Sequence, residues 1–134
     1  MKITVTASTG NVGRPLTEKL LAAGAEVTLI ARSPDKVKGF AERGARVVQG
    51  SVEDSGTVQA ATEGADALFW LTPPSFTAED WRAYQNSLGE VVAQAARSRP
   101  GMHVVNLSSV GAHLSEGTGP IKGLHDVEQA FRLF

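Results

Sequence analysis

Ser8-Thr9-Gly10-Asn11-Val12-Gly13 is the stretch of this sequence best suited to holding a ligand. It lies between a β-branched run and a helical segment. There Gly10 lets the backbone approach an anion, and Gly13 lets helix and strand pack closely. The N–H groups at a helix start, with the positive end of its dipole, make an anion site. Ser8, Thr9 and Asn11 add side-chain donors, and Arg14 adds a charge. The pattern predicts a bound pyrophosphate and hence a dinucleotide. Ala7 stands where such a turn ordinarily has its first glycine, so its methyl is expected to crowd the turn.

The end of the second apolar run bears on which dinucleotide is bound. An acid about 20 residues past the glycines would take the ribose 2′-hydroxyl of NAD. Here the run ends Ile30-Ala31-Arg32-Ser33, with Lys36 close behind. A planar guanidinium, a hydroxyl and a second cation suit a 2′-phosphate. NADP(H) is therefore expected in preference to NAD(H). A solvated surface arginine is the other reading of Arg32.

Candidates for catalysis are few. Ser108 and Ser109 close the fifth apolar run, where ligands of open α/β sheets bind, and they suit loop capping equally well. Thr72 and Pro73 close the fourth run on the same rim. His125 and Glu128 occupy successive helical turns. His125 is a proton donor of suitable type, with a solvated helix face as its other reading. A hydrolase built on Ser108, His125 and Asp126 lacks the Gly-x-Ser-x-Gly elbow. His103, His113 and His125 have no metal-ligand spacing. There is no Gly-Lys-Ser/Thr phosphate loop.

Apolar runs and helical segments alternate along the chain. Strands are expected at 3–6, 26–30, 46–49, 67–71 and 102–107. Helices are expected at 15–23, from Ser33-Pro34 to near Gly44, at 54–62, 77–97 and 121–134. Ser33 is read as a capping residue with Pro34 at the first helical position. Trp81, Tyr84, Leu88, Val91 and Ala95 form the apolar stripe of the long helix. Leu124, Val127, Phe131 and Phe134 form that of the last one. Gly24, Gly44 and Gly64 read as C-terminal helix caps. Five βα repeats imply a doubly wound parallel sheet with helices on both faces, a three-layer α/β fold.

At 134 residues the chain makes one domain, 1–134. Its 42% hydrophobic and 20% charged residues are those of a globular protein. A net charge of -1 offers no broad attraction to nucleic acid or an anionic membrane. With no cysteine there are no disulfides, thiolate metal sites or thiol nucleophile. The first residues do not read as a secretory signal, and no apolar run approaches a membrane span. A cytoplasmic location is the expectation.

These residues together resemble the NmrA-like group of atypical short-chain dehydrogenases/reductases. The resemblance rests on 8–13, on Ala31-Arg32-Ser33-Pro34, and on Val48-Gln49-Gly50-Ser51-Val52-Glu53-Asp54. It continues through 65–73, Val105-Asn106-Leu107-Ser108-Ser109 and His125-Asp126-Val127-Glu128. It implies a Rossmann-like fold with strand order 3-2-1-4-5 and bound NADP(H). It also implies a cofactor-contacting set extended to Ser51, Val52, Leu71, Thr72, Pro73 and Ser108. The implied activity is reduction of a quinone or small carbonyl. The alternative is a non-catalytic NADP(H) sensor acting through a protein partner. Ser51 departs from the acid usual near the adenine, which weakens that contact. The Tyr-x-x-x-Lys pair of related dehydrogenases is absent: Thr118 precedes Lys122 by four, and Tyr84, the only tyrosine, reads as packing far from the strand ends. The chain also lacks the family's C-terminal strands and substrate domain and is read as truncated. The fifth strand would then be an edge with no proline, lysine or inward charge to blunt it. A homodimer through that edge, or through the last helix with Phe131, Leu133 and Phe134, or else a chain prone to aggregation, is expected.

Overall fold

Five short segments, most of them rich in β-branched residues, become five parallel strands, because strands covered on both faces favour such side chains. The structure, a computed structural model, describes residues 1–132. In chain order the elements are β1 (Lys2–Val5), α1 (Gly13–Ala22), β2 (Glu26–Ala31), α2 (Lys38–Glu42), β3 (Arg46–Gln49), α3 (Ser55–Ala61), β4 (Ala67–Leu71), α4 (Trp81–Arg97), β5 (His103–Leu107) and α5 (Lys122–Phe131). The sheet order is β3-β2-β1-β4-β5, as expected. Ile3 pairs with Val27 on one side and Ala67 on the other, so β1 is central. The chain winds outward from β1 to β3, then returns to build β4 and β5 on the other side. That reversal puts the topological switch point at the carboxyl ends of β1 and β4.

Alternate side chains serve two cores. Val5, Val27, Leu29 and Phe69 pack with Val37 and Phe40, with Leu16 and Leu20 of α1 against them. Ile30, Leu68 and Trp70 pack on the other face with Val58, Leu88, Val92 and Ala95. Trp70 is fully buried, and its indole N–H donates to Thr72 Oγ1 at 3.0 Å. Side chains of this class each contribute roughly 1.5–3 kcal/mol on burial. Buried Thr6 stitches the switch point. Its hydroxyl donates to the Phe69 carbonyl at 3.1 Å and accepts from the Leu71 N–H at 3.0 Å.

Several boundaries differ from the sequence expectation, each for a local reason. Helix α1 starts at Gly13, two residues before Pro15. After β2 the chain forms a tight 3-10 turn, Pro34–Val37, before α2, and the Ser33 side chain makes no capping bond. The turn is closed instead by the Lys36 N–H on the Ser33 carbonyl at 3.1 Å. Helix α4 begins at Trp81 rather than 77, because Asp80 caps it by accepting from the Ala83 N–H at 2.9 Å. Its buried face runs through Gln85, Leu88, Gly89, Val92 and Ala95, while Trp81 is exposed. Of the expected stripe, Leu88 and Ala95 are buried and Tyr84 and Val91 pack against the core, and the buried face widens to Gln85 and Gly89 where α5 docks. Gly89 faces Val127, and Gly123 faces Gln85, so two missing side chains let α4 and α5 lie close. Arg82 and Asp126 clamp the pair with two bonds, 2.6 and 2.9 Å. Leu133 and Phe134, expected to contribute to an interface, lie outside the described residues. Gly24, Gly44 and Gly64 all have positive φ, as expected of caps. No helix among the described residues is long and apolar enough to cross a membrane.

Candidate functional site

Four turns leave the carboxyl ends of β1, β2, β3 and β4 and meet around a cleft of about 390 Å³. That volume is within the range of small-ligand sites. The β1 turn brings Ala7, Ser8 and Thr9 to it, and the β2 turn brings Arg32, Ser33 and Lys36. From β3 come Gly50, Ser51, Val52 and Glu53, and from β4 come Leu71, Pro73 and Pro74. Tyr84 of α4 completes the lining.

The β1 turn is tight. Ala7 has φ 54°, the left-handed region, and is the only non-glycine residue with positive φ among the described residues. The Gly10 N–H donates to the Ala7 carbonyl at 3.1 Å. A Cβ at Gly13 would collide with that same carbonyl oxygen. Gly13 is thus buried where helix and strand meet, the role its spacing predicted. Gly10, Asn11 and Val12 are exposed and lead directly into the start of α1 rather than lining the cleft wall. The left-handed conformation costs an alanine about 1–2 kcal/mol, partly offset by the entropy a glycine would lose. Ala7→Gly is expected to raise stability by about 0.5–1 kcal/mol and to strengthen nucleotide binding modestly. Urea unfolding midpoints and a titration of both proteins check this.

Opposite the turn, Arg32 is engaged by two partners. Its Nη2 donates to Ser51 Oγ and to Glu53 Oε1, each at 3.1 Å. The Tyr84 hydroxyl donates to the same Glu53 oxygen at 2.8 Å. Ser51 Oγ also accepts the Glu53 backbone N–H at 3.1 Å. Burial raises the Tyr84 phenol above its ordinary range, and its bond to the Glu53 carboxylate adds to this against the pull of Arg32. The phenol therefore stays protonated and acts as a donor. Asp54 anchors the turn that carries Ser51 and Glu53. It accepts from the Thr57 hydroxyl at 2.6 Å and the Thr57 N–H at 2.7 Å. Those bonds hold its carboxyl below the ordinary range.

Tyr84 and Glu53 were not expected in a site. Glu53 stood beside Ser51 and Val52, so its place in the β3 turn was the available signal. Tyr84 carried none, because only the docking of α4 over the cleft brings it there. It packs against the core, as the sequence suggested, but it also reaches the cleft at the strand ends rather than lying far from them. Thr72 points to the other side of β4, where its hydroxyl serves Trp70. It therefore sits outside the cleft lining, because side chains alternate along a strand.

The catalytic candidates are more scattered. Ser108 follows β5, outside the lining of the cleft. Its hydroxyl oxygen is buried with no hydrogen-bond partner among the described residues. His125 is half-buried rather than on a solvated face. Its Nδ1 lies 2.8 Å from the Ala112 carbonyl, so Nδ1 donates and Nε2 is left for another partner. Asp126 is committed to Arg82. A Ser-His-Asp relay is therefore not assembled from Ser108, His125 and Asp126.

A family model described as NAD(P)H-binding matches residues 7–130. The chain is 36% identical over 108 residues to the (4-alkanoyl-5-oxo-2,5-dihydrofuran-3-yl)methyl phosphate reductase of Streptomyces griseus, a match covering 79% of this chain and 34% of that enzyme. Triphenylmethane reductase of a Citrobacter species, solved in complex with NADP(H), superposes with a TM-score of 0.79 at 24% identity, over 99% of this chain and 46% of that one. An NADPH-dependent quinone oxidoreductase of Escherichia coli, solved with NADPH, superposes with a TM-score of 0.70 at 19% identity, over 97% of this chain and 44% of that one. At such identities the two structures speak for the fold alone. This chain spans about a third of the length of the curated relative and under half of the two solved chains. The Rossmann-like order of its sheet agrees with these neighbours, while the narrower NmrA-like assignment gains no specific support. With its glycine turn at the head of the sheet's switch point, the chain belongs to the NAD(P)H-binding family.

Proposed function

We propose that this chain is the NADP(H)-binding portion of a reductase acting on quinones or small carbonyl compounds. The observation that carries the cofactor reading is the cleft itself, with Ala7, Ser8 and Thr9 of the β1 turn on one wall and Arg32, Ser33 and Lys36 on the other. Ser8, Thr9 and the turn from Gly10 to Gly13 would hold the pyrophosphate at the start of α1. Ser51 and Val52 would border the adenine, and Arg32, Ser33 and Lys36 would take the 2′-phosphate. Leu71 and Pro73 line the β4 side of the same cleft. Bound NADPH supplies the hydride, and the protein orients it and excludes water. The Ser108 hydroxyl and His125 Nε2 are the candidate proton-holding atoms for the acceptor. The reductase reading draws support from the names of the relatives, whereas a regulatory role draws none from them.

Calorimetric titration with NADPH and NADH tests the cofactor reading. Tighter binding of NADPH is the expected result, and equal affinity would end the preference. Oxidation of NADPH across a quinone panel tests the reductase reading. Binding without turnover of any acceptor would count against it.

We also propose that the β5 edge pairs with a second copy of the chain. Among the described residues β5 has β4 as its only sheet neighbour, and Val105 and Leu107 are 49% and 38% exposed. Exposed edges of this kind recruit another strand. Val105→Lys is expected to reduce self-association in light scattering. A parent that stays monomeric at high micromolar concentration would overturn the pairing.

A further inference from the structure

Arg32 has a carboxylate partner inside the very cleft where a 2′-phosphate would sit. The Glu53 side chain reaches it from the β3 turn, and Tyr84 reaches the same carboxylate oxygen from α4. Three elements that are distant in sequence thus converge on one contact. Glu53 is tied to Arg32 and Tyr84 through its side chain. Its carboxylate makes no helix cap, since Asp54 holds the Thr57 N–H. It sits in a half-exposed ion pair, with side-chain exposures of 68% for Arg32 and 48% for Glu53. Surface pairs of this kind add little to stability.

We propose that Glu53, held in place by Tyr84, is a specificity-determining residue that restrains the preference for a 2′-phosphorylated cofactor. The inference rests on the NAD(P)(H) reading of the cleft. A ribose 2′-phosphate approaching Arg32 meets a carboxylate already bonded to that guanidinium. It must displace the carboxylate or share the arginine with it, and the two anions repel at short range. A ribose bearing a free 2′-hydroxyl meets no such repulsion. The pair Arg32–Glu53 therefore brings the affinities for NADP(H) and NAD(H) closer together than Arg32 alone would. Tyr84 strengthens the restraint. Its hydroxyl holds the carboxylate in the cleft and opposes its rotation into solvent.

The experiment compares the parent with Glu53→Gln and Tyr84→Phe by titration with NADPH, NADH, 2′,5′-ADP and ADP. Glu53→Gln is expected to tighten NADPH and 2′,5′-ADP by about fivefold to tenfold, with less than a twofold change for NADH and ADP. Tyr84→Phe is expected to move the same ratio in the same direction, by about twofold, because it frees the carboxylate to swing aside without removing its charge. The NADPH-to-NADH ratio is the decisive readout, since a general loosening of the cleft would shift both nucleotides alike. A ratio that stays unchanged or falls in Glu53→Gln would overturn the proposal and make Glu53 a support that aims Arg32. If a folded parent binds none of the four nucleotides, the cofactor reading itself is lost, and this inference with it. That outcome is distinct from nucleotide binding with an unmoved ratio.

Discussion

Gly13→Val is expected to abolish nucleotide binding and to destabilise the fold. A Cβ at this position falls on the Ala7 carbonyl oxygen and close to its carbon and to the Ser8 Cα. These are backbone atoms of the β1 turn, and backbone cannot rotate out of the way as a flexible side chain would. Either α1 moves away from β1 or the turn opens. Both responses disturb the donors that would face a pyrophosphate. Overpacking of this kind costs typically 1–3 kcal/mol, and a β-branched side chain sits at the upper end. Gly13→Ala keeps the same first clash with a smaller side chain, so it should lose affinity at a lower cost in stability. Urea unfolding and calorimetric titration of both variants check the expectation. Parent-like binding by a folded Gly13→Val would show that the turn serves structure alone.

Arg32→Asp is expected to reverse the cofactor preference. The substitution removes the guanidinium that would meet the 2′-phosphate and places a second carboxylate beside Glu53. A charge-assisted hydrogen bond is worth about 1.5–3 kcal/mol, so its loss alone weakens NADPH roughly tenfold to a hundredfold. The new carboxylate also provides an acceptor for the 2′-hydroxyl of NADH. Arg32 is exposed and supports no core residue, so the variant should fold as the parent does. Titration with both nucleotides reads the reversal. An unaltered ratio in Arg32→Asp would remove Arg32 from the site.

The fold was legible in the sequence because it follows from local pattern and one topological rule. Runs such as Glu26–Ala31 and Ala67–Leu71 are short, apolar and bounded by turns, as covered strands are, and their alternation with helices favours parallel crossovers. The glycine turn was legible for a similar reason. The need for Gly13 arises from its immediate neighbours, Ala7 and Ser8, which are themselves close in sequence. The full width of the buried face of α4 was not legible. That width depends on α5, which meets α4 through Gly89 and Gly123, and no periodicity within α4 encodes that partner.

The same division runs through the site. The amino-acid sequence by itself determined which residues stand at the carboxyl ends of the strands, because a strand's end is a local event. Ser8, Thr9, Arg32, Ser33, Lys36, Ser51 and Val52 line one cleft for that reason. It could not determine which way a terminal side chain turns, so Thr72 was expected at the rim and serves Trp70 instead. Only the tertiary structure decided that Arg32 is paired, and with what. Glu53 lies 21 residues further along the chain and Tyr84 a further 31, and the three meet at one carboxylate oxygen. Contacts between elements depend on how sheet and helices pack, and that packing is a property of the whole core rather than of any segment within it.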